Sequence, residues 1–289
     1  MVRIPRPEAW RDSLDDETIE VLPLVDDFTA RFEPGWCTYV YEHLQAPELE
    51  VLCGGVNSKT PKAGAVWRQG NLLHFGFEQS PRQLNEIGRT LLVNSIAYIS
   101  RFPEDRPIVR PPCIFVSGKR IVDREAIGRL LNRKDGDLAI LEYILAPDAY
   151  AIVKGKNREE LAEWFADVRD YLYSDDGGKL SVDERARTFG VGPASTEFLR
   201  LAIASLSQSD DRTPLARQLL ARYGPDGPDP QGSGELWANW LNENQPYLFF
   251  SDTAGYRWHL DPLAKTRGVA TNSLRGPARA TLPPPSSRP

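Results

Sequence analysis

The sequence predicts an α/β protein, with a partial layered sheet and helices followed by a mainly α-helical domain. Two apolar runs, residues 63–67 and 72–77, flank a turn in which Gly70 is free to take a positive φ. Short apolar runs of this kind are typical of buried strands. A long amphipathic segment follows them, and from Asn157 onward apolar residues recur mostly at helical spacing.

The amphipathic segment is predicted to form a helix that begins at Ser80-Pro81 and ends before Pro103. Serine is a favoured N-cap, proline suits the first helical position, and Pro103 cannot continue a helix. The apolar positions at helical spacing are Leu84, Ile87, Leu91 and Tyr98, widened by Val93, Ile96 and Ile99. So broad an apolar stripe predicts a mostly buried helix packed on a sheet.

The turn between strand and helix, Phe75-Gly76-Phe77-Glu78-Gln79-Ser80-Pro81, carries a family resemblance. With the pattern of residues 21–102, it resembles the C-terminal part of a class I glutamine amidotransferase-like domain of the ThuA-like (trehalose-utilisation-type) branch. The resemblance implies a flavodoxin-like sheet with helices. It also implies a cysteine nucleophile on an elbow and a later histidine. No such elbow is present, Phe77 or Glu78 occupies the histidine position, and His74 comes too early.

Two functional hypotheses follow from these departures. The first is a degenerate, non-catalytic module with a ligand-binding, partner-binding or structural role. The second is a ThuA-like hydrolase or sugar-metabolising enzyme that uses Asp26, Asp27, His74 or His259. Asp26 and Asp27 would hold a metal or act in acid–base chemistry, or they are a solvated strand end or helix cap.

Residues 250–262 form the segment richest in reactive side chains, and they resemble the end of uncharacterised bacterial proteins with a segment of the type YLFFSDTxGYRWxxDPLAKxRG. His259 is a candidate base, with Asp252 or Asp261 as its carboxylate partner. The alternative is a strand whose alternate residues pack, with Arg257 and Asp261 paired at its ends.

Other candidate ligand-binding residues are Asn57, in the glycine-led loop of residues 54–59, and Glu78 and Arg257, each near a predicted strand. The loop lacks the GxGxxG and GxxxxGK[ST] spacings of nucleotide-binding loops, and no cofactor is predicted.

Residues 173–184 invite comparison with a calcium-binding loop, in which Asp175 and Glu184 would be ligands. Tyr173 and Gly177 occupy two further ligand positions without supplying a side-chain carboxylate, so no metal site is predicted. The alternative is an acidic turn that caps a helix. The 3 cysteines form no CxxC motif; Cys37 and Cys53 are either a pair on adjacent strands or buried free thiols.

The net charge of −5 argues against a nucleic-acid partner, and no apolar run approaches a transmembrane span. No signal peptide is recognisable at the N-terminus, so the predicted location is cytoplasmic, with export left open if the N-terminus is truncated. A protein partner or an upstream domain is expected to complete the partial sheet.

Four regions are predicted: an α/β domain over 1–102, a connecting α/β segment over 103–156, a mainly helical domain over 157–266 and a disordered tail over 267–289. The helical domain contains an internal echo with one inserted residue. Its first copy has Ala162, Trp164, Phe165, Tyr171, Leu172, Ser174 and Asp175, and its second has Ala238, Trp240, Leu241, Tyr247, Leu248, Ser251 and Asp252. Trp164 and Trp240 are predicted core anchors, or alternatively a sugar platform.

Overall fold

The computed structural model describes residues 1–26, 37, 47–109, 122–133, 135–174, 178–208 and 211–271. The chain divides into two compact units, Met1–Pro111 and Pro112–Pro289. Helices and small antiparallel sheets make up the described residues, which agrees with the predicted mixture of α and β structure. The division falls later than the predicted boundary at residue 102, because Asp105, Ile108 and Val109 contact side chains of the first unit.

The first unit contains two antiparallel sheets and one long helix among its described residues. The strands are β1 (Val2–Pro5), β2 (Thr18–Val21), β3 (Leu49–Gly54), β4 (Gly64–Gln69) and β5 (Leu72–Phe75), and the helix is α1 (Glu86–Ile99). Strand β1 pairs with β2, and a single 3₁₀ turn, Glu8–Trp10, lies between them. Strands β3, β4 and β5 form a second sheet in that order.

The described strands of this unit pair antiparallel, which differs from the predicted flavodoxin-like arrangement. The connections explain the difference. Gly70 and Asn71 alone join β4 to β5, whereas a parallel pair needs a crossover of a dozen residues or more. Gly70 has φ +56°, as the turn prediction required. The predicted strand over residues 28–44 lies outside the described residues, apart from Cys37.

Helix α1 begins later than predicted and is less buried. Its N-cap is Asn85, whose Oδ1 accepts a hydrogen bond from Gly88 N–H at 2.9 Å, while Ser80 forms a separate turn before it. Only Gly88 and Ser95 are buried within the helix, whereas Val93 is 62% exposed and Ile96 is 59% exposed. The prediction of a mostly buried helix is therefore wrong, because α1 packs through one side only.

A buried arginine joins the end of α1 to the sheet. Arg68 on β4 is 1% exposed, and its guanidinium lies 3.7 Å from the ring centroid of Phe102. Its Nη1 donates to Gly70 O at 2.8 Å and its Nε donates to Glu50 Oε2 at 3.3 Å. Tyr98 Oη donates to the same carboxylate oxygen at 2.6 Å. A buried cation needs this combination of partners.

The second unit is mainly helical with two short hairpins. Its first half contains α2 (Glu125–Leu131), α3 (Leu141–Ile144), α4 (Pro147–Val153), α5 (Arg158–Val168), β6 (Leu172–Tyr173), β7 (Ser181–Val182) and α6 (Glu184–Arg187). Its second half contains α7 (Thr196–Gln208), α8 (Thr213–Tyr223), α9 (Gly234–Asn244), β8 (Leu248–Ser251), β9 (Arg257–Leu260) and α10 (Pro262–Arg267). Within the described parts of both units, no helix has the length and apolar character needed to cross a bilayer.

The two halves of this unit repeat one another, well beyond the echo found in the sequence. Helices α5 and α9 begin 76 positions apart (158 and 234), and each leads through a 3₁₀ turn into a hairpin. Helix α2 packs on α5 as α7 packs on α9. We call residues 122–187 the first copy and residues 198–267 the second copy. Between the paired strands the second hairpin has residues 250–258 where the first has residues 174–180, a connection two residues longer, of which the predicted echo through Asp175 and Asp252 includes one.

A buried aspartate occupies the corresponding position in each copy, between the hairpin and the last helix. Asp183 N–H donates to Tyr171 O at 2.9 Å, and Asp261 N–H donates to Tyr247 O at 2.8 Å. Each side chain then accepts hydrogen bonds from two backbone N–H groups of the next helix, α6 or α10. The two carboxylates, 3% and 0% exposed, thus satisfy backbone N–H groups at the start of each helix.

The predicted tryptophan anchors are only half-buried, while a different tryptophan is fully buried. Trp164 and Trp240 pack at the margins of the two hydrophobic cores. Trp237 is 0% exposed and donates from Nε1 to Asp229 O at 3.1 Å. Its counterpart in the first copy is Leu161, so comparison of the two copies in the sequence does not single out Trp237.

Candidate functional site

The second hairpin, β8–β9, carries most of the predicted reactive side chains, and the structure gives each a separate partner. Asp252 accepts hydrogen bonds from Arg124 N–H and Nε at 3.0 Å, and Arg124 Nη2 lies 2.8 Å from Asp252 Oδ1. Both side chains are at least 84% buried. Asp252, which was predicted to be a partner of His259, therefore binds Arg124 at the start of α2. We call this contact the Arg124–Asp252 clamp.

The tip of this hairpin also binds the chain before α2. Tyr256 is 2% exposed, has φ 55° and donates its hydroxyl to Val122 O. Burial raises the pKa of Tyr256, and the negative charges of Asp252 and Asp123 raise it further, so the phenol remains a donor. A residue that is not glycine occupies the left-handed region here because its ring and hydroxyl are held by the first copy.

His259 lies between two oxygen acceptors. Its Nε2 is 3.1 Å from Ala254 O, and its Nδ1 is 3.6 Å from Asp226 Oδ2, a distance at which the two side chains attract one another when the imidazole is protonated. The ring is 9% exposed and tilts against Phe249 at a centroid distance of 5.8 Å. The structure thus replaces both predicted carboxylate partners, Asp252 and Asp261, with Asp226.

The electrostatics of Asp226 reflect this contact. Burial alone would raise its pKa, but His259, the N–H of Leu260 and the charge of Arg257 outweigh that effect. The pKa of Asp226 consequently lies below its ordinary value. Leu260 N–H donates to Asp226 Oδ2 at 2.9 Å, so the carboxylate ties the loop after α8 to strand β9.

Two further candidates of this segment contribute to local structure. Asp261 is 0% exposed and caps α10 by accepting from Leu263 and Ala264 N–H at 3.0 Å. Arg257 donates from Nε to Ala254 O at 3.4 Å and lies against Gly255. The predicted Arg257–Asp261 pairing at the strand ends is replaced by these contacts.

The first-unit candidates are spread over several elements. Asn57 organises its own loop, since Oδ1 accepts from Lys59 and Thr60 N–H at 2.9 Å and Nδ2 donates to Thr60 O at 2.8 Å. His74 on β5 stacks on Trp67 with ring centroids 5.4 Å apart. Asp26 and Glu78 are exposed, and each belongs to a different connection.

The predicted calcium-binding loop and acidic pair fall partly outside the described residues, which exclude Asp27 and Asp175. Glu184 is described: it is exposed and pairs with Arg187 Nη1 at 3.1 Å, within the helix that Asp183 caps. In the described ranges no group of three His, Cys, Asp or Glu side chains is placed to hold a metal ion.

Sequence reasoning missed the partners that define the hairpin environment. Arg124 and Asp226 lie far along the chain from Asp252 and His259, and no local spacing links them. Asp183 did have a signal, because it precedes a helix as Asp261 does. The structure adds Tyr223 Oη, which donates to Asp183 Oδ2 at 2.8 Å. Burial and the Asp183 charge raise the pKa of that phenol.

The Arg124–Asp252 clamp predicts a measurable coupling. We expect a double-mutant cycle with Arg124→Ala and Asp252→Ala to give a coupling of about 1–3 kcal/mol in the free energy of unfolding. The pair Arg200–Glu197, at 3.3 Å with side chains 49% and 52% exposed, is the control and should give less than about 1 kcal/mol. Urea denaturation measures both. Equal coupling energies in the two cycles would contradict the role given to burial.

The lowered pKa of Asp226 predicts a pH dependence of stability. A carboxyl whose pKa is lower in the folded state stabilises the protein above its unfolded pKa and loses that contribution as pH falls through the folded pKa. Because its side chain is 39% exposed, Asp226→Asn should destabilise by at most about 1 kcal/mol at pH 7.

The difference between wild type and Asp226→Asn should shrink as pH falls below about 4. Urea unfolding from pH 7 to acid measures it, with Asp211→Asn, at an exposed aspartate of the same unit, as the control for loss of one negative charge. A difference that is constant across this range would contradict the prediction.

Three comparisons bear on the identity of the chain. No protein-family model, curated protein or solved structure matches it.

Proposed function

We propose that the chain is a non-catalytic, partner-binding protein whose first unit is a degenerate ThuA-like, amidotransferase-like module. The proposal is supported by one observation: the candidate acid and base side chains in and beside the second hairpin all take part in structural contacts. Asp252 holds Arg124, Asp261 caps α10, and both ring nitrogens of His259 face fixed acceptors. A general base needs access to a substrate proton within hydrogen-bond reach.

The partner surface that we propose is the outer side of α1. Val93 and Ile96, one helical turn apart, are both more than half exposed, although valine and isoleucine are among the residues most often buried. Thr90 and Asn94 lie beside them, and the exposed charges of Arg89 and Glu86 lie toward the N-terminal end of the same face. An aliphatic patch bordered by charged residues is typical of a polypeptide interface, with its apolar centre and polar rim.

The proposed partner is a layer of strands and helices of the flavodoxin-like type. Among the described residues β4 is the central strand of its sheet, and β3 and β5 are the two edges. Strand β4 is buried along almost its whole length, as expected of a strand covered on both faces. A partner that adds strands at an edge of this sheet and covers α1 would complete a layered domain.

The α1 surface predicts a binding defect without a folding defect. We expect the double variant Val93→Asn/Ile96→Asn to stay within about 1 kcal/mol of wild type in unfolding free energy, because both side chains are exposed. The same variant should weaken binding of a partner, identified by cross-linking and then purified, at least about tenfold by calorimetric titration. Ile152→Asn, 55% exposed on the second unit, is the control. Unchanged affinity in the double variant would contradict the proposed surface.

A non-catalytic role predicts that the histidines are dispensable for chemistry. Glutamine and aryl glycosides should show no turnover above background with the full chain, and His74→Gln and His259→Gln should leave that result unchanged. His259→Gln should instead lower the free energy of unfolding, because it removes the ion-pair contact with Asp226. Turnover that disappears in a folded His259→Gln variant would overturn the proposal.

One observation favours the alternative, a ThuA-like hydrolase or sugar-metabolising enzyme. The imidazole of His259 and the carboxylate of Asp226 are in contact, as in many acid–base pairs. In that role Nε2 would have to exchange Ala254 O for a substrate. The turnover assay with His259→Gln, extended to Asp226→Asn, separates this alternative from the partner-binding role.

A further inference from the structure

Cys53 lies on one face of β3. The alternation of faces along this strand continues past an irregularity in its pairing with β4. The register shifts on both sides of Cys53, yet Val51 pairs with Trp67 and Gly54 pairs with Gly64, so pairing is restored after the irregularity. Leu52 and Gly54 are exposed, whereas Val51, Cys53 and Gly55 are partly covered. This alternation places Cys53 and Gly55 on one face of the strand and its continuation.

The thiol of Cys37 occupies that same face. A methyl group built on Gly55 would overlap Cys37 Sγ and would come within 2.8 Å of Ala65 Cβ. The sulfur therefore lies directly over Gly55, in space that exists only because this residue has no side chain. Since Cys53 is two residues away on the same face, the two thiols are neighbours along the strand.

The protonation behaviour of the thiols agrees with this placement. Both are free and partly buried. Burial raises the pKa of both thiols, the charge of Cys53 further raises that of Cys37, and the backbone of Val66 partly offsets the rise at Cys53. An electrostatic effect of one sulfur on the other requires proximity.

We propose that Cys37 and Cys53 are a redox-active pair that a small-molecule disulfide, such as oxidised glutathione, converts to a protein disulfide. One cysteine thiolate attacks the reagent disulfide, forms a mixed disulfide and releases one reduced thiol. The second cysteine then attacks the protein sulfur of that bond and releases the second reduced thiol. Two electrons pass from the cysteines to the reagent, and their two protons end on the released thiols.

The bond would tie position 37 to the sheet of the first unit. Closing the stretch from Cys37 to Cys53 restricts the unfolded chain and stabilises the folded one. The raised pKa of each thiol lowers the thiolate fraction and slows the exchange at neutral pH. The reduction potential of the surrounding thiol pool then decides whether the pair is oxidised at equilibrium. This inference is independent of the proposed partner-binding role.

Peptide mapping of the full chain tests the pair. Protein equilibrated with mixtures of reduced and oxidised glutathione is alkylated and cleaved with trypsin, which leaves both cysteines in one peptide, residues 32–59. We expect this peptide to escape alkylation and to weigh about 2 Da less than its fully reduced form, through loss of two hydrogens. We also expect a melting temperature at least about 4 °C higher in the oxidised protein.

Two variants complete the experiment. Cys113→Ser removes the third cysteine and should leave the mass loss unchanged, whereas Cys53→Ala should leave only a mixed disulfide at Cys37. Glutathione attached at both positions without the mass loss, no oxidation at either, or a bond that includes Cys113 would each overturn the proposal. If Cys53→Ala fails to fold by circular dichroism, the wild-type peptide mass decides the outcome alone.

Discussion

Buried aspartates that accept backbone N–H groups are the constraint on which the second unit depends. Asp183 and Asp261 each follow the returning strand of a hairpin; the backbone N–H donates to the tyrosine carbonyl before the hairpin and the side chain caps the next helix, so a single residue joins two elements. A helix N-terminus without such a partner would leave its donors unsatisfied in the core. The repetition of this device at both positions is what makes the two copies alike despite different side chains around them.

The first unit also depends on a buried charged side chain, the guanidinium of Arg68. Arg68 is surrounded by an aromatic ring, a carbonyl and carboxylates, and its burial is compatible with the sheet only because all of these converge from three chain segments. Both units thus place charged side chains in their interiors, and the first unit buries the carboxylate of Glu48 as well as Arg68. In both, the charged group joins elements that are distant in sequence rather than lining an open cleft.

The sequence was informative where structure is local. The positive φ of Gly70 and the mainly helical character of the chain after Asn157 follow from residues within one or two turns. The sheet order and the exposure of α1 did not follow, because apolar runs do not specify strand direction or what covers a helix. The partners of Asp252 and His259 were equally inaccessible, since Arg124 and Asp226 are separated from them by long stretches of chain.

The contacts between the copies run in both directions. Tyr223 of the second copy satisfies the aspartate that ends the first, while the second hairpin places Tyr256 in the first copy's core. Ala186 of the first copy lies in turn among the core residues of the second. Neither half can therefore unfold or be removed without exposing apolar side chains of the other.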